Sequence, residues 1–266
     1  MEIVGYIASV FIGITLGLIG SGGSILTVPI LVYLFSVDAV VATSYSLFIV
    51  GLTSAVGSFS YLKRKMLDGK VIAMFGIPSI LSVILTRNYI VPAIPSHIAQ
   101  VGNFVLTKDI LLLLLFGLLM IAAAYGMIKK KKQGLVKPSE HSFNVSLLIA
   151  HGFLVGFITG LIGAGGGFLI IPALVMLLKI PIKDAVGNSL VIIAANSFIG
   201  FFNSHNHDDI NWRLLFTIAA LAIAGIFIGI RLSKGIDGAK LKPFFGWFIL
   251  AMGIFIILRE TVFKTY

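Results

Sequence analysis

Two glycine clusters carry the clearest chemical signal in this sequence. Gly20, Ser21, Gly22, Gly23 and Ser24 lie in the run Gly17-Leu18-Ile19-Gly20-Ser21-Gly22-Gly23-Ser24-Ile25-Leu26-Thr27-Val28-Pro29. Gly163, Gly165, Gly166 and Gly167 lie in the matching run Gly160-Leu161-Ile162-Gly163-Ala164-Gly165-Gly166-Gly167-Phe168-Leu169-Ile170-Ile171-Pro172. The offset is a constant 143, and ten of the sixteen positions in 17–32 and 160–175 are identical. Glycines let the chain turn sharply and present backbone N–H groups. Short helices starting near Ser24 and Gly167 point positive dipole ends back at those turns. The chemistry this allows is binding of an oxyanion, not bond-making. The bland alternative is close helix packing through small residues. Two matched interruptions, each followed by a proline at the same spacing, favour a transporter's binding site near the membrane midplane.

Polar residues on the next segments extend the candidate set. Thr43 and Ser44 match Asn188 and Ser189 near the start of the following helix in each half. Hydroxyls and amides there either donate to the same anion or cap their helices. Thr53, Ser54, Asn196 and Ser197 lie farther along the same helices, lining the path or making interhelical hydrogen bonds. His151 sits mid-segment without a neighbouring charge, a functional candidate for gating or proton linkage. A neutral histidine bonded to a carbonyl is its competing reading. His205, His207, Asp208 and Asp209 have metal-like composition but read as a solvated loop. Arg87 and Arg231 end corresponding segments and are expected to snorkel to the interface.

Other chemistries lack their residues. The ten acidic residues fall in loops or at segment ends, so no buried carboxylate is expected as a proton or sodium carrier. There is no Walker lysine, no H-E-x-x-H and no set of nucleophile, base and orienter. The sequence calls for no enzyme activity, no cofactor and no metal.

The elements that must position these residues are membrane helices. Of 266 residues, 58% are hydrophobic and 11% charged, with mean hydropathy +1.08. A soluble domain carries roughly a quarter charged residues. The fold class is therefore all-α, a polytopic integral membrane protein with the lipid bilayer as its first partner. The net charge of +10 sits in short loops between apolar runs, which speaks for topology control and against nucleic acid. The absence of cysteine excludes disulfides and thiolate metal sites. The N-terminus lacks a basic region and a cleavage site, so 3–19 reads as a retained helix. About eight hydrophobic segments follow from the pattern: 3–19 with 24–35, 39–62, 70–91, 109–128, then 143–159 with 168–178, 184–203, 212–232 and 241–258. The stretch 92–107 reads as a loop. The chain divides into a first transmembrane repeat (1–128), a basic and polar linker (129–142) and a second repeat (143–266).

Positive charge decides how the repeats are oriented. If each glycine-broken segment crosses once, the 20 Lys and Arg split 12 to 8 between the two faces. If each is a hairpin returning to its own side, the halves are inverted and the split is 15 to 5. The positive-inside rule favours the second arrangement, with both termini outside and the basic loops cytoplasmic.

The doubled G-L-I-G-[SA]-G-G-[GS]-x-L-x-x-P motif, with Ala42-Thr43-Ser44 and Gly187-Asn188-Ser189, resembles the TauE/SafE-type sulfite exporter family over essentially the whole chain. The resemblance implies an inner-membrane permease for sulfite, organosulfonates or related sulfur oxyanions. Its motif residues fall on Gly20, Gly22, Gly23, Pro29, Thr43 and Ser44, and on Gly163, Gly165, Gly166, Pro172, Asn188 and Ser189. Ser24 stands where the second copy has Gly167, and Asn188 replaces a common threonine. An anion channel, an importer and a permease for another organic anion share these features, and a homodimer is compatible with them.

Overall fold

The structure, a computed structural model, describes residues 2–19, 23–63, 65–101, 104–128, 145–163, 165–178, 180, 182–204, 210–232 and 238–263. The expected linker 129–142 lies outside the described residues. The chain forms α1 (Glu2–Ile19), α2 (Ser24–Leu34), α3 (Ala39–Lys63) and α4 (Gly69–Leu85). A π-helical turn (Thr86–Ile90) and a short α5 (Val91–Ala93) continue α4. Two strands, β1 (His97–Val101) and β2 (Phe104–Thr107), precede α6 (Lys108–Ile128). The second half forms α7 (Val145–Ile162), α8 (Gly167–Leu178), α9 (Ile182–Phe202), α10 (Trp212–Leu232) and α11 (Gly238–Leu258). A second π-helical turn (Arg259–Phe263) follows α11.

The fold is that of a polytopic all-α membrane protein. Among the described residues, six helices are long and apolar enough to cross a bilayer: α3, α4 with its continuation, α6, α7, α9 and α10. Such runs become helices because only intra-segment hydrogen bonds satisfy the backbone in hydrocarbon. The segment 92–107, expected as a loop, instead holds α5 and an antiparallel strand pair in which Val101 faces Phe104. The ladder gives this connection's N–H and C=O groups partners that a bare loop would lack.

Both glycine clusters reverse the chain. Gly23 packs against α1 so tightly that a Cβ there would sit 2.2 Å from the Ile12 carbonyl oxygen. At the far end, the Phe35 ring meets Tyr6 at 5.3 Å between centroids and covers Gly5. α2 therefore runs back along α1. In the second copy, Gly163, Gly165 and Gly166 have φ of +73°, +66° and +68°, a left-handed turn that side-chain-bearing residues rarely adopt. Gly166 returns to lie against Thr159 and Val155 of α7.

Glycines also set how the helices pack. Gly13 and Gly17 of α1 lie against Ala222–Ile230 of α10, with Gly225 and Gly229 answering from α10, and the two helices run parallel. Gly152 and Gly156 of α7 lie against Phe75 and Ser79 of α4, again parallel. α3 and α9 run antiparallel, with Gly51 against Ser197 and Gly200 against Leu47. α6 and α11 are also antiparallel, with Gly117 against Gly253 and Gly246 against Met127. α3 and α9 form the centre: 67% and 72% of their spans are buried, against 44% or less for the other four. Their polar residues consequently face protein instead of lipid.

Candidate anion site at a buried arginine

Arg87 lies in the π-helical turn that continues α4, and its side chain is 3% exposed. Its Nη1 donates to Thr43 Oγ1 at 3.2 Å, Ser44 Oγ at 3.4 Å and Ser204 Oγ at 3.4 Å. Among the described residues Nε and Nη2 have no hydrogen-bond partner. Among the described residues no carboxylate pairs with this guanidinium. The expectation that Arg87 snorkels is overturned. A π turn carries an extra residue per turn and so re-aims the side chains around it, and such turns recur at functional sites. Arg231, its counterpart, is exposed at the end of α10, as snorkelling requires.

The hydroxyls around Arg87 have a defined polarity. Thr43 Oγ1 donates to the Val40 carbonyl at 2.7 Å, and Ser204 Oγ to the Gly200 carbonyl at 2.9 Å. Their protons are thus committed to their own helices, and their lone pairs face the guanidinium. Thr43 holds the cation with its proton on its own helix, where the sequence reading has it either donating to an anion or capping its helix. Hydroxyl acceptors without a counter-charge leave Arg87 a buried, uncompensated cation, an expensive arrangement in a membrane protein.

The second glycine turn meets this cluster. Gly163 lies against Thr43, where a Cβ would come within 2.3 Å of the Thr43 carbonyl oxygen, and Gly160 lies against Thr86. Gly165 sits beside Val50 and the Ser197 hydroxyl, and Gly167 is buried at the start of α8. At the rim, Lys108 donates its ammonium to the Val91 carbonyl, and Asp109 Oδ1 accepts from the Val40 N–H at 3.1 Å. These contacts gather the starts of α3 and α6 with the ends of α4 and α9.

The described residues flanking the first glycine turn lie away from this cluster. Gly17, just before it, lies against Ile226 and Ile230, and the Ile226 side chain covers Gly57 of α3. Thr43 and Gly57 are about 21 Å apart along α3 at about 1.5 Å per residue. Gly17 thus lies near the far end of α3 from Thr43, and the expectation of two turns facing each other across one midplane anion rests on residues of the first turn that are not among those described. Each leading helix has 18 residues, about 27 Å of rise. Gly20, Ser21 and Gly22 lie outside the described residues. Gly23 and Ser24 are buried against their own hairpin.

Asn188 and Ser189 are likewise separated from Thr43 and Ser44, because α3 and α9 are antiparallel. Asn188 Oδ1 accepts from the Asp68 N–H at 2.8 Å, and Asp68 Oδ1 caps α4 by accepting from Lys70 and Val71. Ser189 Oγ donates to the Val186 carbonyl. Between the two ends, Asn196 Nδ2 donates to Ser79 Oγ at 2.6 Å. Asn196 Oδ1 and the Ser54, Ser82 and Ser197 hydroxyls have no partner. These groups form a buried polar file along the α3–α9 pair, with Arg87 at one end.

His151 is half-buried, and its Nδ1 donates to the Leu147 carbonyl at 2.8 Å, one turn back on its own helix. That is the carbonyl bond of the competing reading. The expectation of no buried carboxylate is corrected by Glu260, 1% exposed at the second π turn, which accepts from the Tyr33 hydroxyl at 3.3 Å. His205, His207, Asp208 and Asp209 lie outside the described residues. Among the described residues, no three His, Cys, Asp or Glu gather as a metal site would need. Sequence reasoning missed Arg87 as a site residue. The signal was present: Thr86-Arg87-Asn88 interrupts an apolar run that resumes at Tyr89-Ile90-Val91, so Arg87 is not at the end of its segment.

Comparison with known proteins agrees with this architecture. The sequence matches the family described as sulfite exporter TauE/SafE over residues 6–256. A probable membrane transporter protein of Xylella fastidiosa is 28% identical over 256 residues, covering 94% of this chain and 92% of the relative. The probable membrane transporter protein YunE of Bacillus subtilis is 29% identical, covering 87% and 88%. A probable membrane transporter protein of Methanocaldococcus jannaschii is 29% identical, covering 96% and 94%. No solved structure matches the chain. A motif pair, helical layout and polar core that all run the length of this match place the chain in the sulfite exporter TauE/SafE family, as a membrane transporter.

Proposed function

We propose that this protein is a permease that exports a small sulfur-containing oxyanion, sulfite or an organosulfonate, across the cytoplasmic membrane. The observation that carries this reading is Arg87, a buried guanidinium whose Nε and Nη2 donors are free beside the Gly163 turn. That edge of a guanidinium presents parallel N–H groups that match two oxygens of an oxyanion.

The antiparallel pairs α3–α9 and α6–α11, each made of corresponding helices, support an inverted repeat, as does the exchange of α1–α10 for α7–α4 between halves. With the 15 basic residues on the cytoplasmic side, Arg87 lies toward the outer face, and an anion leaving the cell travels up the polar file to it. An inside-negative potential assists anion exit by about 2.3 kcal/mol per charge per 100 mV, so export proceeds without a coupling ion.

Proteoliposomes loaded with labelled sulfite test this. Efflux driven by an inside-negative potassium diffusion potential is the expected result. Efflux that demands a proton gradient at zero potential overturns the uncoupled mechanism. Saturable exchange of labelled for unlabelled sulfite separates a carrier from a channel.

A further inference from the structure

We infer that the Arg87 site selects singly charged oxyanions, hydrogensulfite and monoanionic sulfonates, over dianions such as sulfate. This rests on the reading of Arg87 as the anion site and goes further by fixing the charge of the substrate. The argument is a charge count. Arg87 is 3% exposed and has no acidic partner among the described residues. Its direct partners Thr43, Ser44 and Ser204 are neutral, and two of the three spend their protons on backbone carbonyls. Thr86, the adjacent residue in the turn, is a neutral hydroxyl. At the rim, Lys108 and Asp109 are consecutive charges of opposite sign, and each is tied to backbone. Among the described residues the fixed charge of the site is therefore one positive unit.

A monoanion neutralises that unit, and the pair then sits in a low-dielectric core with both ions hydrogen-bonded. A dianion leaves one negative charge unpaired at the same depth, and an unpaired buried charge is strongly disfavoured. Geometry points the same way. Nη1 is already occupied by three hydroxyls, so only the Nε–Nη2 edge remains, enough for two oxygens of one anion. A dianion with oxygens exposed on every side would need a second cation free of a counter-charge, and Lys108 at the rim is followed directly by Asp109 and is tied to the Val91 carbonyl.

The test uses the full chain in proteoliposomes, with labelled sulfite as the transported probe and methanesulfonate or sulfate as competitor. Methanesulfonate is expected to compete at least about tenfold more effectively than sulfate. Raising the pH through neutrality converts hydrogensulfite to sulfite, so sulfite flux is expected to fall while labelled methanesulfonate flux holds. Charge movement is expected at one elementary charge per molecule. Arg87→Gln is expected to abolish both sulfite and methanesulfonate flux with the melting temperature retained, and Arg87→Lys, which keeps the charge and loses the edge, to weaken both. Sulfate competing as well as methanesulfonate, or sulfite flux rising with pH, overturns the charge selection and leaves export of sulfur oxyanions standing. No flux of sulfite, methanesulfonate or sulfate overturns both.

Discussion

Arg87 Nη1 lies 3.2 Å from Thr43 Oγ1, and the Thr43 hydroxyl proton is directed at the Val40 carbonyl. The pair joins the π turn after α4 to the first turns of α3, and Gly163 closes over Thr43 from the second hairpin. A cation is thereby held at an apolar crossing by lone pairs alone. Under the proposed anion-site role, stability and function make opposite demands at this residue.

That opposition gives the first prediction. Replacing a buried, uncompensated charge by an apolar side chain of similar length is often neutral or stabilising, by roughly 1–4 kcal/mol. Arg87→Met is expected to hold or raise the melting temperature of the substrate-free protein in detergent while abolishing sulfite flux in proteoliposomes. A lower melting temperature together with retained flux would show that Arg87 is a structural strut.

The second prediction concerns the turn. Gly163 has φ +73°, and a Cβ there would meet Thr43 backbone at 2.3 Å. Strain of that kind costs of order 1–3 kcal/mol from the dihedral alone, with the clash added. Gly163→Ala is expected to lower stability by at least that amount and to disturb the Arg87 cluster. Gly126→Ala, on α6 where nothing lies within 4 Å of the new Cβ, is the control and should leave stability within about 0.5 kcal/mol.

The third prediction separates packing glycines from turning glycines. Gly225 and Gly229 of α10 bring its backbone against α1, and a Cβ at Gly225 would sit 2.2 Å from the Val10 carbonyl oxygen. Membrane helices have little hydrophobic drive to associate and depend on such close contact. Gly225→Val is expected to separate α1 from α10 and make the first hairpin protease-sensitive in a folded protein. An unchanged digestion pattern and melting temperature would count against this interface.

Much of this was legible in the sequence, for identifiable reasons. The hairpins follow from glycine clusters followed by proline, and the crossings follow from charge-free runs of about 20 residues. The centrality of α3 and α9 is visible in Thr43, Ser44, Thr53, Ser54, Asn188, Ser189, Asn196 and Ser197, which lipid-facing helices would not tolerate. The placement of Gly163 against Thr43 was not legible, because motif spacing says where a helix stops and not what lies beside its tip. Asn188 and Thr43 occupy equivalent places in the repeat, yet antiparallel packing puts them at opposite ends. That Arg87 lies inside its segment is legible in the apolar run resuming at Tyr89-Ile90-Val91, but the aim of its side chain depends on a π turn, a local register change for which periodicity gives no sign.

The fourth prediction tests the inverted arrangement. The chain has no cysteine, so single-cysteine variants report topology without background. Contacts among Val40, Asp109, Arg87 and Ser204 put the starts of α3 and α6 at the same end as the close of α4 and α9. The Asp68–Asn188 bond puts the start of α4 with the start of α9 at the other end. Cysteines at Met66 and Ile180, in loops of different halves, are therefore expected to react with a membrane-impermeant maleimide from one common side, the cytoplasmic one in the exporter reading. Cysteines at Ser96 and Asn211 are expected to react only from the opposite side. A parallel duplication would put Met66 and Asn211, the equivalent loops of the two halves, on one face. Labelling of Met66→Cys and Asn211→Cys from the same side would thus rule out the inverted repeat, and with it the outward-facing position assigned to Arg87.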